Sequence, residues 1–220
     1  MTLEIEILYE DENLIAVNKP EGIAAIPEND KTVACLYNLL SEKYSKKIYI
    51  VHRLDKEVSG VMLFAFNGET HRELSLLFES RNVRKTYKAL VIGKPEYEEG
   101  IINYPLRQFG SGRMGVDEKK GKPSETYYEV LNYYDVHTLV KLNPLTGRRH
   151  QLRVHMYSIG CPIAGDLKYG NREIQKKYPR LMLHAESISF EYGGRTFKLR
   201  AEAPDSFSQV LENINDNFIL

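Results

Sequence analysis

Strand-like and helix-like runs alternate along this chain without ever settling into the regular strand–helix–strand spacing that a parallel sheet requires. Ile5–Tyr9 and Leu14–Val17 flank the acidic turn Glu10-Asp-Glu-Asn13 and read as an opening hairpin. Within 33–44, Val33, Leu36, Tyr37 and Leu40 fall at helical spacing; Ile48–Val51 then reads as a strand, and Val61–Phe66 as a buried one. Leu74, Leu77 and Phe78 put an apolar stripe on a helix from Gly68 to Ser80. Further strands are expected at 85–92, 126–132 and 137–142, and a helix at 149–158. Ser187–Phe190 and Thr196–Leu199 flank the Gly193-Gly194 turn of another hairpin, and a last helix spans Phe207 to Ile214. Residues 107–124, rich in Gly and Lys and without an apolar period, read as a long exposed loop. This pattern predicts an α+β protein with helices on the faces of a sheet.

A chain of 220 residues can bury one sizeable core or a closely fused pair of half-domains, and a single domain over 1–220 is expected. Cys35 and Cys161 lie far apart, with neither metal-ligand spacing nor the density of a secreted disulfide framework, which fits a reducing cytosol. The amino terminus lacks the basic-then-apolar pattern of an export signal, and no apolar run approaches membrane-spanning length. A cytoplasmic protein without membrane contact follows.

Formal net charge is zero, yet the charges are segregated. Residues 1–30 carry eight acids and one base, and residues 201–220 four acids and no base, whereas residues 141–200 carry twelve Lys plus Arg against four acids. A basic face between acidic ends suits a polyanion better than the total suggests.

Two segments concentrate chemistry. Val51-His-Arg-Leu-Asp-Lys-Glu-Val-Ser-Gly60 sets one carboxylate, Asp55, between basic residues and a Ser-Gly exit into an apolar strand, making Asp55 the candidate nucleophile. Thr146-Gly-Arg-Arg-His-Gln-Leu-Arg-Val-His-Met156 gathers guanidinium and imidazole groups that can hold an anion or a nucleic-acid backbone. On a helix Arg149 and Arg153 would fall at i and i+4, with Leu152 and Met156 on a different, core-facing stripe. Gly110-Ser-Gly-Arg-Met-Gly115 formally matches a dinucleotide-binding pattern, but no apolar helix follows it, so it reads as loop. The six His are dispersed; His150 and His155, five apart, would face different ways on a helix. No metal and no organic cofactor are expected.

Together with Leu14-Ile-Ala-Val-Asn-Lys-Pro-Glu-Gly22, Arg84-Lys-Thr-Tyr-Lys-Ala-Leu-Val91, Gly165-Asp166 and Tyr169-Gly170, these segments resemble the RluA family of RNA pseudouridine synthases across most of the chain. Val58 departs from the family's usual Thr, and Leu152 from its Ile. The resemblance implies a pseudouridine synthase fold: a long, mostly antiparallel mixed sheet bent around a central cleft, with helices on its faces. It implies catalysis by Asp55, attacking either the ribose C1′ or the uracil C6 of a flipped-out uridine, with Tyr87 and Arg153 as further catalytic residues. It also implies substrate binding by His52, Arg53, Arg148, His150, Gln151 and Leu183. The partner would be a stem-loop of ribosomal or transfer RNA, bound by a monomer without a separate S4-type RNA-binding domain. The readings set against this are an RNA-binding or chaperone protein in which Asp55 is incidental, and a metal-dependent hydrolase acting on RNA.

Overall fold

Asp11 shapes the first turn: its Oδ1 accepts the N–H groups of Asn13 and Leu14, both at 2.8 Å, and so closes the hairpin between β1 (Glu6–Glu10) and β2 (Leu14–Lys19). The structure, a computed structural model, describes residues 4–27 and 34–215; Val33, placed above on a helical stripe, lies outside the described residues. After β2 come α1 (Leu36–Lys43), β3 (Tyr49–Ile50), β4 (Ser59–Ala65), α2 (Gly68–Glu79), β5 (Arg84–Ile92), β6 (Glu99–Ile102), β7 (Leu106–Gln108) and β8 (Met114–Val116). The remainder is β9 (Thr126–Tyr133), β10 (His137–Pro144), α3 (Gln151–Ser158), α4 (Arg172–Gln175), β11 (Leu183–Tyr192), β12 (Arg195–Arg200) and α5 (Asp205–Asn215). These elements form two compact units, one from the residues up to Arg84 with Ala185–Pro204, the other from Lys85–His184 with the segment from Asp205 onward.

In the first unit β1, β2, β4 and β11 lie in that order, with β3 also on β4 and β12 on β11. All seven residues of β4 are buried, which is why it reads as a continuous apolar run rather than an alternating one. Its alternate residues feed two cores. Val61, Leu63 and Ala65 pack with Leu14, Leu74, Ile188 and Phe197, while Met62 and Phe64 pack with Ile15, Leu36, Leu40 and Ile48. Asn67 caps α2 by accepting the Thr70 N–H at 2.9 Å, so Leu74 meets the sheet. At the start of β4 Gly60 has φ +119, and a Cβ there would lie 2.1 Å from the Ala185 carbonyl oxygen; only glycine fits this crossing.

The second unit orders β5, β10, β9 and β6, again by antiparallel pairings, with a register shift of β9 against β10 between Leu139 and Val140. Residues 107–124 are not the featureless exposed loop read from composition. They contain most of the β7–β8 hairpin, anchored by buried Leu106 and Met114 in a cluster with Val154 and Tyr169. Two apolar anchors, one of them just outside the segment, suffice to dock a hairpin, and so short a pattern leaves no periodic trace in the sequence. The fold is α+β, as expected, and none of the described helices is long and apolar enough to cross a membrane.

Candidate active site

Asp55 sits in the turn that enters β4, and backbone bonds hold that turn. Val58 N–H donates to the Asp55 carbonyl at 3.1 Å, and Gly22 N–H donates to the Lys56 carbonyl at 2.9 Å. Buried Leu54 and Val58 pin the turn from either side, leaving the Asp55 side chain partly exposed. Behind it lies Lys19, whose side chain is wholly buried. Its ammonium donates to the carbonyls of Pro20 (2.8 Å), Ile23 (2.7 Å) and Lys56 (3.1 Å). An ammonium has three hydrogens, and these three carbonyls are matched to them. Lys19 therefore joins the Pro20–Gly22 turn to the residue after Asp55, a function that no local sequence signal announces.

His52 is engaged by protein. Its Nε2 accepts the Leu63 N–H at 3.1 Å, and its ring stacks on Phe78 with centroids 4.7 Å apart. Arg53 is exposed to solvent.

In the second unit Arg153 is 4% exposed, so it does not belong to a solvated helix face. Its Nε and Nη2 donate to Asp166 Oδ2 and Oδ1, both at 2.8 Å, in a bidentate pair. Asp166 is itself fixed: Oδ1 also accepts the N–H groups of Lys168 (3.0 Å) and Tyr169 (3.2 Å), and its own N–H donates to Gln175 Oε1 at 3.1 Å. The preceding Gly165, φ +78, lies so close to the Arg180 carbonyl that a Cβ would fall 1.8 Å from its oxygen. One edge of the guanidinium is thus taken by Asp166, and a second carboxylate could address only the other edge.

Tyr169 extends this network. Its ring centroid lies 5.3 Å from the Arg153 guanidinium and 5.2 Å from that of Arg113, its hydroxyl accepts the Met114 N–H at 3.2 Å, and the same hydroxyl meets His150 Nδ1 at 2.7 Å. His150 stands in the left-handed region, φ 53, as the residue just before α3. That helix begins at Gln151, so Arg149 lies in the preceding turn, exposed, and the i, i+4 stripe of Arg149 and Arg153 does not form. Leu152 and Met156 are buried, as their stripe predicted.

Gln151, expected at the substrate, is 4% exposed and fully used by protein. Its Oε1 accepts from Thr146 Oγ1 (2.7 Å) and Arg148 N–H (3.0 Å), and its Nε2 donates to Glu125 O (2.9 Å) and Thr126 Oγ1 (3.0 Å). Four bonds fill a primary amide, so Gln151 shapes the Thr146–Arg149 turn. Arg148 is exposed and directs Nε to the Pro123 carbonyl at 3.2 Å. Tyr87 lies on β5 opposite Leu142, partly buried, and Leu183 is 3% exposed at the start of β11. His155, on α3, is fully buried between Thr126, Ser124 and the Tyr104 carbonyl, and burial lowers its pKa.

Of the residues expected from sequence, the first unit holds Asp55, His52 and Arg53, and the second brings Arg153, His150, Gln151 and Arg148 onto α3 and its entry turn, with Tyr87 on β5. Lys19, Asp166 and Tyr169 were not assigned roles from sequence. The latter two stand in the Gly-Asp and Tyr-Gly pairs quoted above, and only their distance from Arg153 along the chain hid the connection. Among the described residues, no three of His, Cys, Asp and Glu group so as to hold a metal ion.

Residues 13–158 match the family model of RNA pseudouridylate synthase. The chain is 38% identical over 207 residues to the dual-specificity RNA pseudouridine synthase RluA of Pasteurella multocida, covering 92% of this chain and 94% of that one. It is 37% identical over 212 residues to the ribosomal large subunit pseudouridine synthase C of Rickettsia conorii, covering 93% of this chain and 70% of that one. Among solved structures, human RNA pseudouridylate synthase domain containing 4 superposes with a TM-score of 0.80 at 28% identity, over 96% of this chain and 93% of that one. With sequence, fold and local geometry in agreement, the chain belongs to the RluA family of RNA pseudouridine synthases.

Proposed function

We propose that this protein converts specific uridines of ribosomal RNA, transfer RNA or both to pseudouridine, with Asp55 as covalent catalyst on a flipped-out nucleotide. The observation that carries the reading is the Asp55 turn: its backbone is immobilised by Lys19, Gly22 and Val58, while its carboxylate stays partly exposed. The substrate range rests on two relatives, one described as dual-specificity and one as acting on the large ribosomal subunit.

The reaction is an isomerisation. The N1–C1′ bond breaks, the uracil turns, C5 bonds to C1′, the C5 proton leaves and N1 gains one, so nothing is consumed. A carboxylate suits the task because it is ionised at neutral pH and forms a bond, to C1′ or to C6, that water or the returning base can reverse. Arg153, its guanidinium fixed by Asp166, is a further catalytic residue that supplies a fixed positive charge. Tyr87 stacks on the uracil, an interaction of about 1–3 kcal/mol, and its phenol serves proton transfer. Arg53 fills the gap left by the flipped nucleotide, Arg148 meets phosphate, Leu183 lines the uracil pocket, and His52, His150 and Gln151 shape the loops around them.

Mapping pseudouridine across total RNA from cells with and without this gene tests the reading. A position that loses its modification in the deletion names the substrate. Unchanged maps, together with purified protein that converts no RNA, would end the proposal.

A further inference from the structure

Lys85 stands near the start of β5, and strand alternation puts it on the same face as Tyr87, two residues on. Asn143 Nδ2 donates to the Lys85 carbonyl and to Thr86 Oγ1, both at 3.0 Å, and so binds the start of β5 to the end of β10. This places Lys85 beside the turn that follows β10. At its nearest point that turn carries Gly147, where a Cβ would lie 4.0 Å from Lys85 Nζ, so the missing side chain leaves an approach to the ammonium open.

Several cations of this unit are answered by acids: Arg153 by Asp166, Lys141 by Glu129, Arg107 by Asp117 and Lys176 by Glu173. Lys85 is partly buried, and among the described residues its Nζ has neither an ion pair nor a hydrogen bond. Burial lowers its pKa, with no carboxylate acting against that effect. A partly desolvated ammonium without a counter-ion contributes nothing to folding that an apolar side chain of the same length would not. Its charge has a use only when an anion arrives. Exposed Arg148 and Arg149, next to Gly147 in the chain, would draw such an anion toward the same opening.

We propose that Lys85 seats one phosphodiester of the RNA strand, which enters over Gly147 and lies next to the face of β5 that carries Tyr87. This rests on the RNA reading above and adds to it the backbone contact that sets how far the target nucleotide reaches along β5. A lysine suits a single phosphate met as a point charge.

The test uses the whole protein and its Lys85→Met, Lys85→Arg and Gly147→Ala variants, titrated with a uridine-containing RNA stem-loop over a range of salt. Lys85→Met is expected to weaken binding about ten-fold near 0.1 M salt, and to lower the slope of log K against log salt by about 0.7 to 0.9, the share of one phosphate. Lys85→Arg should retain the slope. Gly147→Ala, which sets a methyl in ordinary contact with Nζ and narrows the approach with the charge intact, should weaken binding by a smaller factor without changing the slope. In turnover, Lys85→Met should raise KM with kcat within about two-fold. An unchanged slope in Lys85→Met, or a fall in kcat at unchanged KM, overturns the proposal. Wild-type protein that forms no pseudouridine in any RNA would strike the functional reading instead. The phosphate seat is then decided by NMR of isotopically labelled lysines in the presence of the trinucleotide UpUpU: a shift of the Lys85 side-chain resonance upholds it, and an unmoved resonance overturns it.

Discussion

The Asp55 turn and the Arg153 pair solve opposite problems. In the first unit the backbone of the turn is held, by Val58 N–H, Gly22 N–H and the Lys19 ammonium on its carbonyls, while the acid side chain stays partly exposed. In the second unit the side chain itself is clamped, with the guanidinium buried against a carboxylate that is also buried. Under the proposed function Asp55 forms and breaks a covalent bond, and such a group needs room to move. A group that supplies a fixed charge needs none, and its burial in a low-dielectric setting strengthens its field.

The sharpest test of that contrast is Asp55→Asn. Pseudouridine formation should fall by on the order of 10⁴-fold or more, with RNA affinity and melting temperature nearly unchanged, as gel-shift and calorimetric measurements would show. A large loss of stability would break the comparison by making Asp55 a structural acid. Asp166→Ala should act the other way. It leaves a buried guanidinium without its partner, at a cost of about 3–5 kcal/mol, which calorimetry should register as a melting point lower by roughly 10 °C. Lys19→Met strands three carbonyls and frees the Lys56 peptide. Urea unfolding should show a loss of about 1–3 kcal/mol, and kcat should fall roughly ten- to a hundred-fold as the turn drifts, with KM little changed.

The smallest effect concerns His155, held neutral inside the second unit. Burial lowers its folded-state pKa, so the unfolded chain binds the proton more readily. Its contribution is complete above the unfolded value of about 6.5 and is lost as pH falls from there through the folded pKa. Stability should therefore decline with acidification by up to about 1.4 kcal/mol per pH unit in that window. His155→Gln, measured by urea unfolding between neutral and acidic pH, should remove that slope; a slope that survives would assign it to another group.

Much of this was legible from the chain because it depends on neighbours in sequence. The Ser59-Gly60 exit marks a strand entry that only glycine can make, and the run after it reads as buried since both faces of β4 are covered. The apolar stripe of α2 and the Gly193-Gly194 hairpin are equally local. The misreadings share a cause. Periodicity extended α3 back to Arg149 and put Arg149 and Arg153 on one stripe; the structure starts the helix at Gln151, whose amide is consumed by the turn, and buries Arg153 against an acid thirteen residues further on. In 107–124 composition suggested an open loop, and Leu106 and Met114 docked it.

What the chain alone determined is which segments carry chemistry and which class of fold they build, since turns, apolar alternation and the family's motifs are written within a few residues of one another. Tertiary structure alone decided which charges are paired. Asp166 answers Arg153, backbone carbonyls hold Lys19, and among the described residues no acid answers Lys85, because the cost of burying a charge depends on groups that folding brings together from distant parts of the chain.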